Sequence, residues 1–136
     1  MEQKSNSFKA LSDVLDRLEE GLAFDDSNDL KSDAVIQRFE FSIELFWKVL
    51  KKILAAQEIE VFTPREVMQK AYQARLIDDE NVWIAMLKDR NATSHVYSEN
   101  DAYEIFKRIE REYANVMKNT YLKLKDELVR RNIIFE

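Results

Sequence analysis

The chain has 136 residues, a net charge of −5, one glycine, one proline and no cysteine. This length fits one domain, residues 1–136, able to bury its own core. So few turn residues argue against a β-rich fold and for near-continuous helix. The lack of cysteine excludes a disulfide framework and a thiolate metal site, and fits a reducing, cytoplasmic setting. The acidic balance excludes broad, non-specific nucleic-acid binding but leaves room for a local basic site. No apolar run approaches the roughly 18 residues of a membrane span. Met1–Ser7 has no apolar signal core.

The first helix is expected from about Ser7 to Leu22, where Phe8, Leu11, Val14, Leu15, Leu18 and Leu22 recur at helical spacing. Gly21 is placed to act as its stop signal. The turn-rich stretch Phe24–Leu30 follows as a loop.

The second helix is expected from Lys31 to Ala56. One apolar stripe is Ile36, Phe39, Ile43, Trp47, Leu50 and Leu54. Val35, Phe46, Val49 and Ile53 form another about 100° around the helix, and Phe41 and Leu45 widen the arc. So apolar a helix needs cover on more than one side, as the centre of a bundle or as part of a dimer interface. Its narrow polar strip holds Glu40, Glu44 and Lys48, an i,i+4 ladder. The plain reading is a solvated face; the sharper one sets these acids beside a functional site.

Thr63 as N-cap, Pro64 at the first helical position and Glu66 as partner of a capping box mark the third helix, which is expected to end near Leu76. Asp78 or Asp79 caps a fourth helix carrying Val82, Trp83, Met86 and Leu87. Ser98 reads as a fresh N-cap for a long fifth helix reaching Arg131, about 45 Å at ~1.5 Å per residue. Its stripe is Ala102, Ile105, Ile109, Tyr113, Val116, Thr120 and Leu124, flanked by Phe106, Met117, Tyr121 and Leu128. The tail Ile133-Ile-Phe-Glu136 is apolar for a terminus and is expected to dock on something. The expected fold is therefore all-α, an up-and-down antiparallel bundle of about five helices.

The chemistry concentrates at the end of the fourth helix. There Arg90, Asn91, Ser94 and His95, the only histidine, fall within about one turn, with Asn91/His95 and Arg90/Ser94 at i,i+4. A lone histidine at a helix end can serve structurally, bonding the last carbonyls and meeting the dipole. Its neighbours point further. Imidazole moves protons near neutral pH, and the guanidinium fork matches a phosphate. Asn91 and Ser94 can orient a water, a phosphate or a 2′-hydroxyl. Together they form a minimal kit for metal-free RNA cleavage. One patch lacks a second proton-transfer group; two copies across a dimer two-fold supply it. No metal-ligand cluster and no Gly-rich phosphate loop is present, so no cofactor is expected and the chain is not itself a nucleotidyltransferase.

The segment Arg90-Asn-Ala-Thr-Ser-His95-Val-Tyr97 resembles the Arg-x4-His-x-Tyr motif of the HEPN superfamily. Phe39-Glu-Phe-Ser-Ile-Glu-Leu-Phe-Trp-Lys48 resembles the second helix of its nucleotidyltransferase substrate-binding branch. The resemblance runs from about Phe8 to Lys125. It implies a substrate-binding-subunit-like bundle that forms a homodimer, with the two Arg90/His95 sites meeting at the cleft. It further implies an endoribonuclease toxin, paired with a minimal nucleotidyltransferase encoded nearby. Arg90 and His95 carry over as catalytic and Asn91 as the accompanying polar residue. Tyr97 matches the tyrosine that such partners modify with AMP; its plain alternative is an aromatic packed at a helix junction. Against the ribonuclease stands a non-catalytic subunit that binds a nucleotide or substrate for the partner enzyme. RNA is the substrate in the first reading, and neither involves a membrane.

Overall fold

A computed structural model describes residues 2–28, 30–95 and 98–135, with the backbone alone for 2–6. Its elements are α1 (Glu2–Leu22), α2 (Lys31–Ala56), α3 (Pro64–Gln73), α4 (Glu80–Thr93), α5 (Glu99–Arg108), a π turn (Ile109–Tyr113) and α6 (Ala114–Arg130). α5, the π turn and α6 run on without a break in helical backbone angles. The bundle thus consists of five rods, as expected. Among the described residues no helix is long and apolar enough to cross a membrane.

α2 is the central rod and packs against α1, α3, α4, α5 and the π turn. Its inward residues Val35, Phe39, Ile43, Phe46, Val49, Leu50, Ile53 and Leu54 are all buried. Phe46 meets Trp83 of α4 with ring centroids 4.5 Å apart, and Phe39 stacks on Tyr113 of the π turn at 5.5 Å. Such aromatic pairs add to the area they bury. The wide apolar arc of α2 thus covers the inside of one chain. Phe41 is its exception, 57% exposed.

Gly21 does not stop α1 through a left-handed turn. It lies within the helix and has no positive φ. A Cβ there would come within 3.3 Å of the Arg38 side chain. The glycine instead lets α2 approach closely, and Arg38 uses the space to donate to the Arg17 carbonyl at 2.8 Å.

Helix ends here dispense with glycine. After α2, α3 and α6 the left-handed position is held by Glu58, Arg75 and Asn132, with φ of 64°, 62° and 56°. In each case the next residue donates its N–H back to the helix: Ile59 to Leu54, Leu76 to Ala71 and Ile133 to Leu128. This is the Schellman arrangement, closed by an apolar residue. It explains why α3 ends at Gln73, earlier than its apolar pattern suggests. Leu76 is buried as the residue that closes the cap, not as a helical one. Arg131 then ties the chain end to these caps, donating to the Ala74 carbonyl at 3.0 Å and to Gln57 at 3.3 Å.

The remaining caps follow the local pattern. Thr63 and Glu66 form the full capping box, and Asp79 rather than Asp78 caps α4 through the Asn81 N–H at 2.9 Å. Ser98 caps α5 through the Asp101 N–H at 3.0 Å.

The π turn has a cause in the sequence. Ile105, Ile109, Tyr113 and Met117 are all buried at a constant spacing of four. In an α-helix each such step drifts by about 40°. One wide turn absorbs the drift and keeps the four on the core side. Beyond it Met117 takes the inward place that the periodicity assigns to Val116, which is only half-buried. The tail docks as expected: Phe135 meets Phe8 edge-on at 6.4 Å, and Phe8 stacks on Tyr121 at 4.6 Å.

A left-handed residue other than glycine is strained. Glu58→Gly is therefore expected to stabilise the fold by about 0.5–1 kcal/mol, after offsetting the greater freedom of the unfolded chain. Urea denaturation checks it; a lower midpoint would show that the Glu58 side chain contributes more than its backbone costs.

Candidate functional site

α4 carries two sets of groups on neighbouring faces. Trp83, Met86 and Asp89 point into the bundle and are buried. Arg90, about 100° further round, meets α2 instead.

Asp89 is the deepest anchor. Its carboxylate accepts from Arg108 Nε at 2.8 Å, from Arg108 Nη2 at 2.9 Å and from the Tyr113 hydroxyl at 2.6 Å. Three charge-assisted bonds satisfy a carboxylate that burial would otherwise disfavour. Burial, and then the bond to Asp89, push the Tyr113 hydroxyl well above the ordinary phenol range. The same carboxylate holds Arg108 more firmly protonated than usual. The end of α4 is thereby tied to α5 and the π turn.

Arg90 is fixed from the other side. Its Nη2 lies 3.1 Å from Glu44 Oε1, while Glu44 Oε2 lies 3.6 Å from Lys48. The Arg90 Nε is buried and has no hydrogen-bond partner among the described residues. Thr93 donates its hydroxyl to Glu40, and that oxygen also lies 2.6 Å from the Arg90 carbonyl. The two acids of α2 are thus more than a solvated ladder. Each holds a residue of the Arg90–His95 segment.

α4 ends at Thr93, with Ser94 as its C-cap. The Ser94 hydroxyl donates to the Asn91 carbonyl at 2.8 Å, and the His95 N–H donates to the Ala92 carbonyl at 2.9 Å. Ser94 is therefore engaged with backbone, and His95 lies just past the helix rather than one helical turn above Asn91. Asn91 and His95 are both exposed. Among the described residues the His95 imidazole makes no hydrogen bond. Among the described residues the imidazole thus bonds none of the last carbonyls of α4. Tyr97 and Val96 lie outside the described residues.

Thr93, Asp89 and Arg108 were not singled out by the sequence reading. Arg108 is nineteen residues from Asp89 in sequence, and no local pattern joins them. Tyr113 carried a usable signal: a tyrosine in a core stripe needs a buried acceptor for its hydroxyl.

The chain matches the family model described as "Nucleotidyltransferase substrate binding protein like" over residues 5–126. It is 31% identical, over 80 residues, to a protein of Haemophilus influenzae named probable ribonuclease HepT. That match spans 55% of this chain and 55% of the relative, so the chain covers about half the length of that protein. A crystal structure of a protein from Thermus thermophilus superposes with a TM-score of 0.77 at 33% identity, covering 84% of this chain and 98% of that one.

Asp89→Ala is expected to cost about 1–3 kcal/mol, because it strands the buried Tyr113 hydroxyl and frees Arg108. Thermal denaturation beside Arg108→Ala measures it, and near-neutrality would remove Asp89 as the anchor. The raised Tyr113 pKa has a pH signature as well. The folded state holds this proton more tightly than the unfolded chain, whose phenol titrates near 10.0. Stability should therefore decline as pH rises past that value. The decline should be shallower in Tyr113→Phe; equal slopes would contradict it.

Proposed function

Because the chain belongs to the nucleotidyltransferase substrate binding protein like family, in the HEPN superfamily, we propose that it is an endoribonuclease acting through Arg90 and His95. The observation that carries this reading is the state of His95: exposed, without a hydrogen bond among the described residues, and five positions from an arginine that α2 holds in place. An exposed imidazole five positions from an oriented guanidinium is equipped for acid–base chemistry on a phosphodiester. The similarity to a protein named probable ribonuclease supports the same reading.

In the proposed reaction the substrate 2′-oxygen attacks phosphorus and the bond to the 5′-oxygen breaks. This leaves a 2′,3′-cyclic phosphate and a 5′-hydroxyl. One imidazole takes the 2′-proton, and a second, protonated imidazole gives a proton to the leaving oxygen. Arg90 stabilises the charge that builds on the non-bridging oxygens, and Asn91 orients the phosphate. One chain holds one histidine, so the second comes from another copy across a two-fold axis. The proposed acting form is therefore a homodimer. The proposed partner is a minimal nucleotidyltransferase that silences this toxin by transferring AMP to Tyr97. The transfer would put bulk and negative charge two residues from His95, where RNA phosphate must sit.

A second reading has its own support. Glu44 already occupies one edge of the Arg90 fork, and a carboxylate there competes with a phosphate. This suits a non-catalytic subunit that holds a substrate for its partner enzyme without cleaving RNA.

RNA incubated with the purified protein in EDTA separates the two. Wild type is expected to cleave and His95→Ala to lose at least about 100-fold in rate, as for loss of a general acid–base group, with an unchanged melting temperature. Absence of cleavage by folded wild type would favour the binding subunit. With the partner enzyme and ATP present, wild type should be silenced and Tyr97→Phe should not. Silencing of both would remove Tyr97 as the acceptor.

A further inference from the structure

A groove of about 550 Å³ lies between α2, the start of α3 and the end of α4, and Arg90 and Asn91 form part of its wall. Its other charged lining residues are Arg65, Lys88 and Glu44, so three cations face one carboxylate. In a chain of net charge −5 this is a local reversal of sign. The groove on the other side of the motif, which includes Thr93, is lined by Asp33, Glu40 and Glu99 and by no cation. A polyanion approaching Arg90 is drawn along one side and repelled from the other.

The cations of this groove are available. Arg65 and Lys88 are exposed, and neither side chain makes an ion pair or a hydrogen bond among the described residues. Arg65 also stands second in α3, a position where the helix dipole favours anions. Helix stability does not account for it. Trp47 adds a half-buried indole to the same groove. An aromatic face beside cations is how single-stranded nucleic acid is held without reading its sequence.

We infer that this groove is the track by which single-stranded RNA reaches the Arg90–His95 site. Arg65 and Lys88 each hold a phosphate flanking the scissile one, and Trp47 stacks a neighbouring base. The inference rests on the ribonuclease reading and adds the residues that bind its substrate.

The test uses the full chain carrying His95→Ala, so that RNA is bound but not cut, and a short labelled single-stranded RNA as probe. Adding Arg65→Gln/Lys88→Gln removes two phosphate contacts while keeping helix-compatible side chains. The slope of log K against log salt should become shallower by about 1.4, roughly 0.7 per contact. At ~0.1 M salt the affinity should fall about 25-fold, roughly fivefold per contact. An unchanged melting temperature shows that the fold is intact. If wild type cleaves RNA while the glutamine pair changes neither slope nor affinity, the groove is not the track and the ribonuclease reading stands. If wild type does not cleave but RNA binds and the slope falls as expected, the groove stands and the ribonuclease reading falls. If the His95→Ala chain binds no RNA, the inference is overturned.

Discussion

The buried carboxylate of Asp89 fixes the end of α4, and the rest of the site depends on where that end lies. It accepts two bonds from Arg108 and one from Tyr113, so a single residue joins α4 to both α5 and the π turn. Removing Asp89 would leave the buried Tyr113 hydroxyl without its partner, which is costlier than the bond itself is worth. The arrangement is therefore rigid as well as stable. Arg90 is the next residue in the chain. The anchor sets the direction in which its guanidinium leaves the helix, and Glu44 receives it at 3.1 Å.

The π turn belongs to the same device. A wide turn sacrifices regular hydrogen bonding and is often found where a side chain must be placed with care. Here it brings Tyr113 both onto the ring of Phe39 and to the Asp89 carboxylate. α2 contributes twice: Phe39 supports Tyr113 from within, while Glu40 and Glu44 hold Thr93 and Arg90 at the surface. In the proposed reaction an acidic strip beside Arg90 has a cost in affinity, because it competes with the phosphate for the same fork. It also keeps that fork oriented before any ligand arrives, and preorganised charge is what stabilises a transition state. The cations of the neighbouring groove offset the local negative potential without adding to the crowding at Arg90.

Much of this was legible in the sequence because it is local. The capping box of Thr63 and Glu66, the bounds of α2 and the cap at Ser98 each depend on residues within four positions of one another. The Arg90–His95 spacing is equally local, and it drew attention to the end of α4. Features that depend on tertiary packing were not legible. Gly21 looks like a stop signal until Arg38 is known to lie against it. The end of α3 is masked because Leu76 continues the apolar period while serving a cap. The spacing of four from Ile105 to Met117 was visible, but an α-helical template absorbs it as ordinary scatter. The Asp89–Arg108 pair joins two rods and leaves no trace in either one alone.

The chain has a single histidine, so one imidazole can be followed by NMR without ambiguity. The most direct measurement is to titrate the protein with a single-stranded RNA carrying 2′-deoxy substitutions that block cleavage, while recording the His95 ring resonances. The account predicts that they shift and saturate at the same RNA concentration as overall binding, and that Arg90→Ala weakens the response. Ring resonances that stay in place at saturating RNA would contradict it, since the imidazole would then lie away from the bound phosphodiester.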